Sequence, residues 1–193
     1  MTLLHIDAGI TGNASVSRQI STAVVTALRE ADPSLRVVRR DLDADPVPHL
    51  DSRELAALGE PDNALVEEFL AADTIVIGAP MYNFSIPSQL KAWFDHVLVN
   101  GKTFRYTVEG PQGLAGGKRV IVASARGGFY GAGTPHAAAD FHEPYLRTLF
   151  GFAGIDDVTF VRAEGVAISP DHRQTALESA LAQAKAPALA KAA

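Results

Sequence analysis

The chain has 193 residues, enough for one domain spanning 1–193, and its 47% hydrophobic and 20% charged side chains suit a globular protein with a buried core. Its 17 basic and 22 acidic residues leave a formal charge of −5, which argues against general nucleic-acid binding, and the absence of cysteine excludes disulfides, thiolate metal sites, iron–sulfur clusters and cysteine nucleophiles. No apolar leader follows Met1 and no apolar run approaches the roughly 20 residues of a membrane helix, so the expectation is an unanchored cytoplasmic protein with no membrane partner.

Strand and helix patterns alternate along the chain. Leu3-Leu4-His5-Ile6 reads as a strand stopped by Asp7, Gly9 and Gly12. From Ser15, apolar residues recur at Val16, Ile20, Val24 and Leu28, the stripe of a helix that Asp32-Pro33 ends. Leu35 to Val38 is a second strand, and Pro46 and Pro48 make 41–51 a loop. Ser52 to Leu58 is a short helix, and Asp62 or Asn63 caps another with Leu65, Phe69 and Leu70 inward. Thr74 to Ala79 is a continuous apolar run, as a parallel strand covered on both faces requires. Pro87 sits in the first turn of a helix running to about Val99, with Leu90, Phe94 and Val97 inward. The glycine-rich stretch 103–117 holds a small excursion. Val120 to Ser124 is the fourth strand, 127–140 a long loop and Glu143 to Phe152 a helix. Val158 to Val161 is the fifth strand, and Asp171 to Lys185 the last helix, followed by a frayed alanine-rich tail. Five such strands with intervening helices predict a doubly wound parallel sheet, for which 2-1-3-4-5 is one common order.

In such sheets ligands bind at the carboxyl ends of the strands, which directs attention to three loops. The first, Asp7 to Arg18, opens a helix. Free amides, Ser15 and Ser17 hydroxyls, Asn13 and the Arg18 charge suit a phosphate, although Ser15 can equally be a plain helix cap. It lacks both G-x-x-x-x-G-K-[ST] and G-x-G-x-x-G, so neither triphosphate hydrolysis nor the usual dinucleotide turn is indicated. The second, Pro80-Met81-Tyr82-Asn83-Phe84-Ser85, carries large apolar groups beside an amide. It fits a flat aromatic ligand, unless Met81, Tyr82 and Phe84 fold back into the core. The third, Ser124-Ala125-Arg126-Gly127-Gly128-Phe129-Tyr130, lets backbone approach a ligand closely. Arg126 either stands beside a ring that becomes anionic on reduction or is solvated on a plain turn. Together the loops describe a mononucleotide with a flat ring system, and FMN fits better than NAD. The six histidines show no metal-ligand spacing, so no metal is expected; Arg39-Arg40-Asp41 reads as a solvated strand end.

At Pro80-Met81-Tyr82-Asn83-Phe84 the chain resembles the FMN-dependent NADH:quinone oxidoreductase/azoreductase family. Matches follow in order at Ser15-x-Ser17, Gln89-Leu90-Lys91, Thr103 to Thr107, Gly110-Pro111-x-Gly113-Leu114, Arg126-Gly127-Gly128, Gly151-Phe152-x-Gly154-Ile155 and Ala163-Glu164-Gly165, covering nearly the whole chain. The resemblance implies a flavodoxin-like fold, FMN as cofactor, NADH or NADPH as donor, and two-electron reduction of quinones and azo compounds by a ping-pong mechanism. A flavodoxin-like electron carrier, or a flavin reductase serving a partner, is the alternative. The resemblance also implies a homodimer with FMN sites at the interface. It assigns Gly9, Ser15, Val16 and Ser17 to the phosphate side. Pro80, Met81, Tyr82, Asn83 and Phe84, with Ser124, Arg126, Gly127 and Gly128, line the ring. Phe104, Tyr106, Tyr130 and Phe152 bound the substrate cavity, Phe152 coming from the partner subunit. No side chain need be a nucleophile; Asn83, Arg126 and Tyr106 are supporting candidates, and no proton donor for azo reduction is assigned among Tyr106, Tyr130 and His136. Two departures stand out. Gly9 occupies a position where the family usually has serine, and Ala125 one where it often does, with Ser124 displaced by one.

Overall fold

The computed structural model describes residues 1–58 and 63–186. In chain order the elements are β1 (Thr2–Asp7), α1 (Val16–Ala31), β2 (Arg36–Asp41), α2 (Ser52–Ala57), α3 (Ala64–Ala71), β3 (Thr74–Pro80) and α4 (Ser88–Val97). Then follow β4 (Phe104–Thr107), β5 (Gly110–Gly113), β6 (Arg119–Ala125), α5 (Glu143–Phe152), β7 (Asp157–Ala163) and α6 (Pro170–Ala184). The five long strands form one parallel sheet in the order β2-β1-β3-β6-β7, the doubly wound arrangement with its switch point between β1 and β3.

Side chains alternate across a strand, so a sheet covered on both faces needs apolar residues throughout. Leu4, Ile6, Ile75, Ile77, Val120 and Val122 pack under α4 and α5 against Leu90, Trp93, Phe94 and Phe150. Their neighbours Leu3, Val76, Ile121 and Val161 face the other way, against the Val16, Ile20, Val24 and Leu28 stripe of α1 and the small Ala180 and Ala184 of α6. Edge-to-face ring contacts link Phe69 to Trp93 at 5.8 Å, Trp93 to Phe94 at 5.0 Å and Phe94 to Phe150 at 5.3 Å.

Several boundaries differ from expectation. Asn63 caps α3 through its side chain, accepting from the Val66 amide, while Asp62 lies outside the described residues, as does the alanine-rich tail. Pro87 is the cap of α4 rather than part of its first turn, and the helix stops at Val97. The buried Thr103 hydroxyl explains the stop: it donates to the Val97 carbonyl at 2.8 Å and accepts from the Val99 amide at 2.9 Å, satisfying a helix end that would otherwise be orphaned. The excursion at 103–117 is an antiparallel hairpin of β4 and β5. It docks on the end of α5, where a Cβ at Gly113 would lie 2.1 Å from the Gly154 amide nitrogen. Gly113→Ala therefore has to lift the hairpin off α5. The expected cost is about 2 kcal/mol, within the usual range for overpacking, read from the urea midpoint. An unchanged midpoint contradicts the docking.

Candidate active site

The three loops meet because the strands that carry them are neighbours. Hydrogen bonds continue past the strand ends: the Ala8 amide donates to the Gly78 carbonyl at 2.9 Å, the Met81 amide to Ala125 at 2.8 Å and the Arg126 amide to Ala163 at 2.9 Å. A cavity of about 230 Å³ opens at this edge. Ser15 and Val16 line it from the first loop, Pro80, Met81 and Tyr82 from the second, and Gly127 from the third.

At the first loop Ser15 caps α1, its hydroxyl accepting from the Arg18 amide at 3.4 Å and lying 3.0 Å from the Ser17 hydroxyl. The helix rule leaves the Val16 and Ser17 amides without intrahelical acceptors. The carbonyls just before them are taken by side chains: Asn13 accepts from Gln19 Nε2 at 3.0 Å and Ala14 from Arg173 at 2.5 Å. This leaves a concentration of donors at a positive helix end, the chemistry of an anion site. A Cβ at Gly9 would come within 2.4 Å of Ser15 Oγ, so a larger residue 9 needs the Ser15 hydroxyl to turn aside.

At the second loop Tyr82 and Ser85 exchange amide–carbonyl bonds at 2.9 and 3.1 Å. Asn83 and Phe84 between them lie at φ 47° and 72°. Two successive left-handed residues make a tight turn of the hairpin type, at a backbone cost that side chains other than glycine carry where surroundings hold the conformation. The turn pushes Asn83 and Phe84 outward, Phe84 being 50% exposed and packed edge-to-face on Tyr130 at 6.1 Å. Met81 and Tyr82 stay half-buried in the cavity wall, so the second loop does not fold back into the core. Beneath the loop, His142 is fully buried and donates from Nε2 to the Ala79 carbonyl at 3.1 Å. Burial and the nearby Arg126 charge push its pKa down to about 4.

A family profile described as flavodoxin-like fold matches residues 1–187. The chain is 56% identical to FMN-dependent NADH:quinone oxidoreductase 2 of Bradyrhizobium diazoefficiens, over 94% of this chain and 96% of that one. The chain belongs to this family. Among solved structures it is similar to the azoreductase of Bacillus anthracis strain Sterne, at TM-score 0.88 and 28% identity with both chains covered in full. It is also similar to an FMN-dependent NADH-azoreductase of Bacillus anthracis strain Ames Ancestor solved in complex with FMN, at TM-score 0.85 and 28% identity over 97% of each chain. The flavodoxin-like architecture expected from the sequence is therefore the one this oxidoreductase family shares.

Within that family framework four side-chain settings differ from the simplest reading of the sequence. Arg126 is not solvated: its side chain is 1% exposed and its guanidinium lies against Asp140 at 3.1 Å, Glu164 at 3.3 Å and Glu143. Ser124 is fully buried with it, its hydroxyl accepting from Arg126 Nε at 3.1 Å, so neither side chain reaches the cavity. Arg18 does not line the cavity. It donates to Asp41 at 2.5 and 3.0 Å and to the Gly9 carbonyl at 3.2 Å, with Asp7 at 3.7 Å. The Arg18 bond holds the Asp41 carboxyl down at about 2, so within Arg39-Arg40-Asp41 only Arg39, at 56% exposure, is a solvated strand-end charge. Arg39 pairs with Asp7 at 3.2 Å and Arg40 with Glu68 at 2.9 Å. Burial alone would raise the Asp7 carboxyl, but bonds from His5 and Ser21 and the Arg18 charge outweigh it and hold it low.

Phe104, Tyr106 and Phe152 form a separate aromatic cluster at the hairpin, with centroids 5.5 and 4.5 Å apart around Phe104, and none of them lines the 230 Å³ cavity. Gly128 is half-buried beside Tyr130, whose amide donates to Glu164 at 2.9 Å and whose ring sits 6.4 Å from that of the exposed His136. Asn13 is exposed. The sequence reading missed two lining residues, Val166 and Arg173, because it considered the loops after strands one, three and four only. The fifth strand ends at the same edge, and that rule of position was the available signal. Among the described residues no group of three or more His, Asp and Glu side chains is placed to hold a metal, and no helix is long and apolar enough to cross a membrane.

Proposed function

We propose that this chain is an FMN-dependent NADH:quinone oxidoreductase that also reduces azo compounds, by a ping-pong mechanism. The observation that carries the reading is the meeting, in one cavity, of the anion donors at the start of α1, the Met81–Tyr82 wall and the Gly127 backbone. The residues fit the cofactor. Unsatisfied amides and paired hydroxyls suit its phosphate, and an apolar wall facing a glycine suits a flat ring. The named relatives and the FMN-bound neighbour have the same dependence in their names.

When bound, FMN supplies the two-electron relay between a nicotinamide and an acceptor. The protein's part is to bind and orient. Val16 and Ser17 give amides, and Ser15 and Ser17 hydroxyls, to the phosphate. The Asn83 amide, turned outward by its left-handed backbone, would read a polar edge of the ring. Backbone at Gly127, which lines the cavity, and at Gly128 beside it would offer amides to the ring and support negative charge there. Arg126 and Ser124 act from behind, holding the third loop in place, and none of these residues is asked to be a nucleophile.

The cavity, at about 230 Å³, falls below the roughly 300–1,000 Å³ of pockets that enclose a whole cofactor-sized ligand. We assign the missing wall to a second copy of the chain. Phe84 on the second loop and Phe141 beside it, and Tyr106 and Val108 on the hairpin, are exposed at 50, 61, 70 and 104%, apolar groups that a homodimer interface would cover. Phe104, Tyr106, Tyr130 and Phe152, the last from the partner subunit, then complete the acceptor cavity. The reading places the enzyme in the cytoplasm.

Initial rates with NADH and benzoquinone both varied are expected to give parallel double-reciprocal lines, since donor and acceptor share one site in turn. Converging lines overturn the ping-pong order, and failure to oxidise NADH with any quinone overturns the enzyme reading. The same assay with NADPH settles donor preference.

A further inference from the structure

Three features of the first loop leave its anion site short of charge. Gly9 brings no hydroxyl, and the nearest side-chain oxygens are those of Ser15 and Ser17. Arg18, the cation nearest in sequence, is neutralised by Asp41 and Asp7 and does not line the cavity. The remaining local donors, the amides of α1 and the hydroxyls of Ser15 and Ser17, are neutral. A phosphate monoester carries about −1.5 to −2 at neutral pH, and a charged donor makes a stronger hydrogen bond to it than these neutral ones do.

Arg173 supplies what is lacking. It is half-buried near the start of α6, the helix capped by Ser169, and it lines the 230 Å³ cavity together with Ser15 and Val16. Its guanidinium donates to the Ala14 carbonyl at 2.5 Å, one residue before the cap of α1. That bond uses one of five N–H donors. The protein's other site-proximal arginines are neutralised: Arg18, Arg39, Arg126 and Arg162 each pair with a carboxylate. Among the described residues no carboxylate pairs with Arg173. A cation fixed in a cavity wall, tied to a carbonyl and unmatched by an acid, beside a helix start with free amides, is arranged for an anion that the chain itself does not contain.

We propose that Arg173 is the cation that recognises the FMN phosphate, and that it makes this site select the phosphorylated flavin over riboflavin. The assignment rests on the FMN reading above and adds a residue from outside the three loops, one that takes over the role Arg18's position in the sequence suggests.

The test measures dissociation constants for FMN and riboflavin by quenching of flavin fluorescence, on apoprotein of the wild type and of Arg173→Gln and Arg173→Lys, with thermal unfolding of each as a check on folding. Glutamine keeps a donor for the Ala14 carbonyl and removes the charge; lysine keeps the charge. Arg173→Gln is expected to bind FMN about tenfold to thirtyfold more weakly, the scale of one charge-assisted hydrogen bond at a partly solvated site. Riboflavin binding changes less than about twofold, and Arg173→Lys stays within about threefold of wild type for FMN. Raising the salt concentration weakens FMN binding to the wild type more than to Arg173→Gln. If Arg173→Gln binds FMN as the wild type does, or loses FMN and riboflavin equally, Arg173 only braces the loop and the assignment is overturned. A wild-type chain that takes up neither flavin overturns the FMN reading itself.

Discussion

Arg126→Ala is expected to lower the unfolding free energy by about 3 kcal/mol, the scale of removing one partner from a buried ion cluster. The residue is 1% exposed and faces Asp140, Glu143 and Glu164, whose side chains are 14, 9 and 21% exposed. Glu143 keeps a second cation, since Arg162 donates to both its oxygens at 2.7 Å. Among the described residues Asp140 and Glu164 have no other ion pair, only the more distant Arg162 charge, and are left as poorly hydrated charges. Asp140 also accepts from the His142 and Glu143 amides at the start of α5, and Glu164 from the Tyr130 amide, so the damage spreads to both ends of the third loop. For a chain of this size about 3 kcal/mol corresponds to a fall in Tm of about 10 °C. A change in urea stability of less than about 0.5 kcal/mol would mean that the carboxylates are solvated instead of relying on Arg126.

The second large effect is a loss of stability in mild acid. His142 has a pKa of about 4 in the folded chain against 6.5 as its ordinary value. Burial is the main cause, and the Arg126 charge adds to it; Asp140 and the bond to Ala79 pull the other way. The unfolded chain takes up this proton first as pH falls, so the stabilisation is complete above about 6.5 and is lost progressively down to about 4. A shift of this size corresponds to about 3 kcal/mol, as an order of magnitude. Urea unfolding between pH 7 and 4 is expected to show that decline, and His142→Gln, which keeps a donor for the Ala79 carbonyl, is expected to flatten it. An equal slope in wild type and variant would show that the ring is protonated without penalty in the folded state. Below pH 4 the Asp41 carboxyl, held at about 2 by Arg18, adds a further acid-side loss as it protonates.

The alternation of strands and helices and the placing of the three loops were legible because they follow from periodicity and from a topological rule, whereas the strand order was open among the common solutions until the structure gave β2-β1-β3-β6-β7. Thr74 to Ala79 is apolar throughout because both faces are covered, and the Val16-Ile20-Val24-Leu28 stripe matches the buried face of α1. Charges were less legible, since an arginine's partner is set by packing between elements distant in sequence. Arg18 turns to Asp41, 23 residues away, and Arg126 to Glu164, 38 residues away, whereas Arg173 reaches back 159 residues to Ala14. Local pattern carries no trace of such pairings. The Asn83–Phe84 turn was hidden for another reason: it adopts two left-handed conformations without the glycine that normally signals them.

The central claim is that the cavity at the meeting of the three loops holds FMN and passes two electrons from NADH to a quinone. The most direct test is an anaerobic absorbance titration of the flavin-loaded protein, with NADH added first and benzoquinone second. The account predicts a yellow protein whose flavin band bleaches with one equivalent of NADH per site and returns with one equivalent of quinone. A protein that takes up no FMN, or whose bound FMN stays oxidised under excess NADH, would contradict it.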